Sequence, residues 1–348
     1  MTQSNEAPPA LSAMEKPINH IGIVVSDVEA TSGKYDEIFG EVPWARAEFV
    51  VEDVVLHGRR ESQEAKLRAA TGEVGGLRIE LLEPVTGPSV HAEFLDRHGP
   101  GTQHVSFGSA ADYDDVIGRM EGLGVDVEMQ GRIGQGAFTY FETQAELGIS
   151  VELNPLPKPG TTPRTAAFRD TSRAAAKGLV DLEPNRIMQV GIVVPDARRA
   201  AQRYWELFRL GPWSIFEFVA PHLSDLTLHG SAVDESDVQI RGVIADHPEI
   251  QFELLEPMSG PSSHGEFLQK HGPGAHHLCF GKVPDYDDVV EALASGGIPI
   301  EMTGLLGGST GFTYMAAQPQ LGTIFEFAKK HEGRRTTLTA SGTIPAIS

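Results

Sequence analysis

The sequence predicts an α+β fold made of two tandem copies of one mixed-sheet domain. Three observations predict it. The chain repeats itself, strand-like runs outnumber helical ones, and each helix has one apolar stripe suited to covering a sheet face. The repeat is plain: HIGIVV from His20 returns as QVGIVV 169 residues later, and ELLEP at Glu80 and HGPGTQHVSFG at His98 both return 173 residues later. FTY at Phe138 returns 174 residues later. Nearly constant shifts over about 140 residues mean duplication with indels confined to loops. The reading is a tail at 1–16, a first domain at 17–157, a linker at 158–184, a second domain at 185–332 and a tail at 333–348. The linker is Pro-rich at its start, and both tails read as polar and disordered.

Within the first copy the elements follow a βαβββ–βαβββ order. Ile18 to Val25 is a β-branched run, hence a strand. Asp27 offers an N-cap, Tyr35, Ile38 and Phe39 make a helix stripe, and Gly40 ends it. Strands follow near Trp44–Val51, Ala65–Thr71 and Leu77–Leu82. The second half opens with a strand at Gln103–Gly108. A helix at Tyr113–Leu123 carries Val116, Ile117, Met120 and Leu123, and strands come near Val125–Met129, Ala137–Phe141 and Ile149–Leu153. The second copy repeats the first helix stripe as Tyr204, Leu207 and Phe208.

The 348 residues carry a net charge of −20, from 48 acids against 28 bases. Phosphate recognition needs clustered Lys and Arg, so nucleic acid and anionic membranes are poor partners. No apolar run approaches the length of a membrane-spanning helix. Met1 to Lys16 lacks the apolar core of a secretory signal. Cys279 is the only cysteine, which precludes an intrachain disulfide and fits a reducing compartment. The expected location is cytoplasmic.

Strand alternation places the chemistry. In the first, fourth, fifth and eighth strands, Ile21, Ile79, Val105 and Val151 point to the helix-covered core. His20, Glu80, His104 and Glu152 therefore point to the other face, one per strand. Two imidazoles and two carboxylates form a borderline-hard N/O set suited to Ni, Co, Mn, Zn or Fe, with positions left for water or substrate. The second copy sets Gln189, Glu253, His277 and Glu326 at the matching places, a glutamine carbonyl replacing the first imidazole. A single His or Glu in a strand is usually structural. Four, in equivalent half-domain positions and then repeated, point to a metal in each copy.

At HIGIVV, IELLEP, GTQHVSFG and SVELN the chain resembles the vicinal-oxygen-chelate superfamily, which includes glyoxalase I, methylmalonyl-CoA epimerase, extradiol dioxygenases and the bleomycin- and fosfomycin-resistance proteins. The resemblance implies paired βαβββ modules curled around a metal, and it permits swapping, with His20 and Glu80 joining His277 and Glu326. It implies a metal-dependent isomerase, epimerase or lyase acting through a stabilised enediolate or oxyanion on a 2-oxo, 2-hydroxy or acyl-thioester small molecule. Glu152 or Glu326 would move the proton, helped by Glu80 or Glu253. The alternatives are an extradiol-type dioxygenase using Fe(II), and a resistance-type binding protein without turnover. The assembly is expected to be a monomeric pseudo-dimer or a homodimer.

Around this set, Ser106, Asn154 and Cys279 share faces with the ligands and are expected to line the pocket. Arg78, two residues before Glu80, is read either as the anchor of a substrate carboxylate or as the partner of a neighbouring acid in a salt bridge, where the second copy has Gln251. His57 and His229, His91 and His264, and His98 and His271 recur. The last two pairs are read as bordering the HGPG loop, where the expectation for most is a backbone-bonded loop histidine. Trp44 and Trp213, each after a proline, read as packing residues.

Overall fold

The computed structural model describes residues 9–156, 178–180, 186–331 and 336–344. The expected linker lies almost wholly outside the described residues. Copy one runs β1 (His20–Val24), α1 (Val28–Phe39), β2 (Ala45–Leu56), β3 (Arg59–Arg60), β4 (Ala65–Val74), β5 (Leu77–Thr86) and α2 (Val90–His98), then β6 (Gly101–Ala110), α3 (Tyr113–Gly122), β7 (Val127–Ile133), β8 (Gly136–Phe141), α4 (Gln144–Leu147) and β9 (Ser150–Pro155). Copy two repeats this as β10 (Gln189–Val193), α5 (Ala197–Phe208), β11 (Trp213–Phe218), β12 (Leu223–Leu228), β13 (Ser231–Ala232), β14 (Gln239–Asp246), β15 (Gln251–Ser259) and α6 (Ser263–His271), then β16 (Gly274–Lys282), α7 (Tyr286–Ser295), β17 (Ile300–Leu306), β18 (Thr310–Met315), α8 (Gln318–Leu321) and β19 (Ile324–Lys330). A last strand, β20, is Gly342–Ile344. The α+β class and the tandem architecture are as the sequence predicts.

In each copy the two modules join through β1 beside β6, or β10 beside β16. In copy one β1 pairs in parallel with β5, and β6 with β9. The long β2 closes the curled sheet. Its first half pairs with β4 and its second half crosses to β7, turning at Asp53 with φ 53°. The sequence placed only the first half of this strand.

The helices cap as expected. Asp27 accepts from the Ala30 amide and Gly40 sits at φ 82°. Two helices per copy are additional: beside the one-turn α4 and α8, these are α2, capped by Ser89 and ended by Gly99, and its repeat α6, capped by Ser262. His91 and His264 lie in the first turns of these helices and not in loops. The marks were present, a serine N-cap and a glycine ten residues beyond it, but the apolar stripe is too thin to show a 3.6 period.

The two copies share one core. Tyr35 donates to the Leu321 carbonyl at 3.0 Å, and Tyr204 donates to the Leu147 carbonyl at 3.1 Å. The first helix of each copy thus docks on the last module of the other. Phe39, Phe280, Phe325 and Phe327 stack at that junction, and the buried apolar cluster runs unbroken through both copies. Trp44 and Trp213 are buried in it, as expected.

The expectation of disordered tails is corrected wherever the tails are described. Ala10, Leu11 and Ala13 are buried, and the Leu11 amide donates to the Leu207 carbonyl at 3.1 Å. Residues 336–344 lie along copy two, with β20 paired to β11. Short apolar stretches in polar company were enough to order them. Among the described residues no helix is long and apolar enough to cross a membrane.

Candidate metal site

The four expected residues of copy one converge. His20 Nε2 lies 3.0 Å from His104 Nε2, 3.2 Å from Glu80 Oε2 and 3.0 Å from Glu152 Oε2. His104 Nε2 lies 3.6 Å from Glu152 Oε2. The grouping is within one copy, not across copies. Glu152 Oε2 is buried and makes no aligned hydrogen bond, despite its 3.0 Å approach to His20. Lone pairs aimed at a common centre rather than at one another are what shared ligands of a cation show, since two atoms each about 2.1 Å from an ion sit roughly 3 Å apart. By this criterion the donor set fits a divalent ion.

The electrostatics agree. Burial pushes the His20 pKa down, but Glu80 and Glu152 outweigh it and raise it to about 10. Two carboxylates in a dry pocket require positive charge, and the imidazole supplies it where a cation would. His104, buried and beside His20 and His91, is held well below the usual histidine range and stays neutral. Burial raises the Glu80 carboxyl, and His20 more than reverses this, leaving it lowered.

Two residues that sequence reasoning missed aim the imidazoles. His20 Nδ1 donates to Asn19 Oδ1 at 2.9 Å, and His104 Nδ1 donates to Gln103 Oε1 at 2.7 Å. Each bond fixes the Nδ1–H tautomer and leaves Nε2 turned inward. A neighbour in a regular strand would point to the opposite face. Gln103 reaches its partner because β6 bulges there: Gly22 pairs with His104, but Ile23 pairs with Thr102. The signal was an amide residue directly before each histidine. Gly22 is required by space, since a Cβ there would lie 1.9 Å from His104 Cε1.

Copy two is a partial echo. His277 Nε2 lies 3.1 Å from Glu326 Oε2 and 3.8 Å from Glu253 Oε2, and it is buried with no hydrogen-bond partner. Gln189 turns sideways instead and donates to Gln251 Oε1 at 2.7 Å. Burial and the Glu326 charge raise the Glu253 carboxyl to about 8. Gly191 repeats the glycine cradle under His277. His276 takes the bulge place of Gln103, its Nδ1 3.1 Å from His277 Nδ1. His264, His276 and His277 thereby gather within 4.8 Å.

Among the secondary residues, Arg78 and Asn154 line a cavity of about 560 Å³ whose walls include His20, Glu80 and Glu152. Phe49, Leu67, Ile133 and Phe138 supply its apolar side. Ser106 is wholly buried, with its hydroxyl accepting from the Gly108 amide at 3.3 Å, so it serves the strand turn more than the pocket. The Cys279 thiol lies by Glu326, and burial together with that carboxylate pushes its pKa well up, so it is no ready nucleophile. The expectation of backbone-bonded loop histidines holds for His98 and His271, each of which bonds to the other's backbone, and is corrected for His91 and His264. His91 and His264 are buried, each 3.3 Å from a tyrosine hydroxyl, Tyr140 or Tyr314. His57 and His229 contact Glu93 and Glu266. His98 and His271 end α2 and α6 and line a small cleft between the copies.

Comparison with known proteins places this geometry in context. The family described as Glyoxalase/Bleomycin resistance protein/Dioxygenase superfamily matches residues 19–141 and again 188–314. An uncharacterised protein, YqjC of Bacillus subtilis (strain 168), is 28% identical over 90 residues, which are 26% of this chain and 55% of that protein. The chain thus spans about half the length of the curated relative it matches. A mutant of 4-hydroxymandelate synthase from Streptomyces coelicolor shares the fold over 94% of both chains, with a TM-score of 0.54 and 16% identity. Methylmalonyl-CoA epimerase in complex with methylmalonyl-CoA aligns with 42% of this chain and 96% of its own, at 20% identity and a TM-score of 0.28.

Proposed function

Because the chain belongs to the glyoxalase, bleomycin-resistance protein and dioxygenase superfamily, we propose that it is a metal-dependent isomerase, epimerase or lyase, with His20, Glu80, His104 and Glu152 as its ligand set. The observation that carries this is the convergence of those four side chains on one centre in the wall of an open cavity. Ni, Co, Zn or Mn suits two imidazoles and two carboxylates. The bound ion would supply Lewis acidity toward a substrate oxygen.

The chain's own groups do the rest. Phe49, Leu67, Ile133 and Phe138 exclude water from one side of the cavity, which strengthens every charge interaction inside it. Arg78, exposed at the rim, is placed to hold a substrate carboxylate or other anionic end. The Glu152 carboxylate, through an oxygen not engaged by the ion, would take the proton from the carbon beside the polarised oxygen, and Glu80 shares the charge. The substrate class is a 2-oxo, 2-hydroxy or acyl-thioester small molecule. The set Glu253, His277 and Glu326 is a second and weaker metal site by the same chemistry, with Gln189 held to Gln251 beside it.

The test is metal content per chain after purification, followed by transfer of substrate C–H hydrogen to heavy water with a panel of such acids and thioesters. Stoichiometric metal and exchange that His104→Ala abolishes support the reading. A chain that neither carries nor acquires a transition ion overturns it. Iron-dependent oxygen uptake with a catechol would replace it with ring-cleaving dioxygenation, a reading that the fourth ligand Glu80 disfavours.

A further inference from the structure

The two copies differ in what lies against them: the described C-terminal segment, residues 336–344, packs on copy two. In copy one the cavity wall includes Ala45, at the start of β2, and Ile133, at the end of β7. In copy two residues 336–344 bridge the matching positions. At one rim the Thr337 amide donates to the Gly307 carbonyl at 3.0 Å, and the Thr337 hydroxyl is 2.9 Å from His222 Nδ1. At the other rim the Ser341 amide donates to the Ile215 carbonyl at 2.7 Å. From there β20 extends the edge of β11, pairing Gly342, Thr343 and Ile344 with Ile215, Ser214 and Trp213.

Between these anchors Leu338 packs on the apolar cluster that holds Phe218, Ile240 and Phe312, alongside Leu306. By the repeat, those four are the counterparts of Phe49, Leu67, Phe138 and Ile133, the apolar wall of the open cavity. Leu338 therefore sits where an apolar part of a ligand would sit in copy one. Gly307 makes room for it, since a Cβ there would lie 2.3 Å from Thr336 Oγ1 and 3.3 Å from Leu338 Cβ. Exposure of the carboxylates is mixed: the Glu80 side chain is 19% exposed and its counterpart Glu253 9%, while Glu152 is 9% exposed and its counterpart Glu326 12%.

We infer that residues 336–344 are a strap that seals the mouth of the second cavity, so that the first alone takes up substrate from solvent. This rests on the reading of both sets as small-molecule sites and adds a division of labour between them. A strand laid on a sheet edge and one leucine are held by few contacts, so the cover is the part of copy two that can open locally.

The only cysteine reports on it. Cys279 lies opposite Gln189 inside the second site, 6% exposed. The rate of its alkylation by a small neutral maleimide, read by mass on chelator-stripped chain at one pH and compared between variants, measures relative access without reference to turnover. Two full-chain variants lift the strap: Leu338→Asp, whose charge is not tolerated against Phe218 and Phe312, and Ser341→Pro, which removes the amide that bonds to Ile215. Both are expected to raise the rate about tenfold or more while the β16 amides keep their protection from hydrogen exchange. Equal rates in Ser341→Pro and the unaltered chain overturn the strap. So does acceleration matched by loss of β16 protection, which would mean general loosening and not a lifted cover. Metal uptake by His20, Glu80, His104 and Glu152 is expected to be unchanged in both variants, so failure of the functional reading and failure of the strap give different results.

Discussion

At the scale of single residues, the site works by removing choices from its side chains. The glycine under each ligand histidine lets the ring lie across the strand, so Gly22→Ala is a sharp probe. It adds one methyl to a buried strand and is expected to displace His104, abolishing stoichiometric metal binding while the far-UV circular dichroism keeps its native shape. Metal titration by calorimetry reads the outcome, and native-like uptake would refute the cradle. Charge makes a second prediction, for the metal-free chain. His20 is raised to about 10 and Glu253 to about 8, so each favours the fold in its protonated form. Their contributions are complete below their ordinary values of about 6.5 and 4.5, and are lost as pH rises through the raised ones. The melting temperature of metal-free protein is therefore expected to fall between about pH 6.5 and pH 9.5, and a divalent ion, supplying the same positive charge, should flatten that fall. A metal-free curve that rises over this interval would mean that the two acids in each site are not held together.

At the scale of elements, what the sequence revealed and what it hid separate along one line. Period-2 alternation carried the ligand faces, because Ile21, Ile79, Val105 and Val151 are core residues and the positions beside them must face the other way. The same alternation hid Gln103, which a bulge rotates onto the ligand side, and no pattern announces a bulge. It hid the second half of β2, since the turn at Asp53 breaks the alternation just where the strand changes partner from β4 to β7. It misread α2, whose histidine sits on a short helix held by its caps more than by a stripe. The bulge yields the prediction proper to this scale. Gln103→Ala leaves the His104 Nδ1–H without an acceptor and frees the ring to choose its other tautomer. Metal affinity is expected to drop by about 10- to 100-fold with little change in the fold. Competition against a calibrated chelator measures it, and an unchanged affinity would mean that the strand alone positions the ring.

At the scale of the whole molecule, the duplication is not two beads on a string. Each first helix buries its stripe against the other copy's last module, and the tyrosine hydroxyl of each reaches a carbonyl there, Tyr35 to Leu321 and Tyr204 to Leu147. Neither copy closes its own helix layer, so stability has to be a property of the pair. Phe325 stands at the centre of this arrangement, edge-on to Phe39 and Tyr35 of copy one and to Phe280 of its own copy. Truncating it to alanine removes ring contacts from both copies at once, at a cost of about 3–5 kcal/mol. If the copies were independent, calorimetry of Phe325→Ala would show copy two melting early and copy one unmoved. A shared core requires instead a single transition, shifted down as one. Two resolved transitions would show that each domain keeps a core of its own, and that the crossed tyrosines join finished units without completing either.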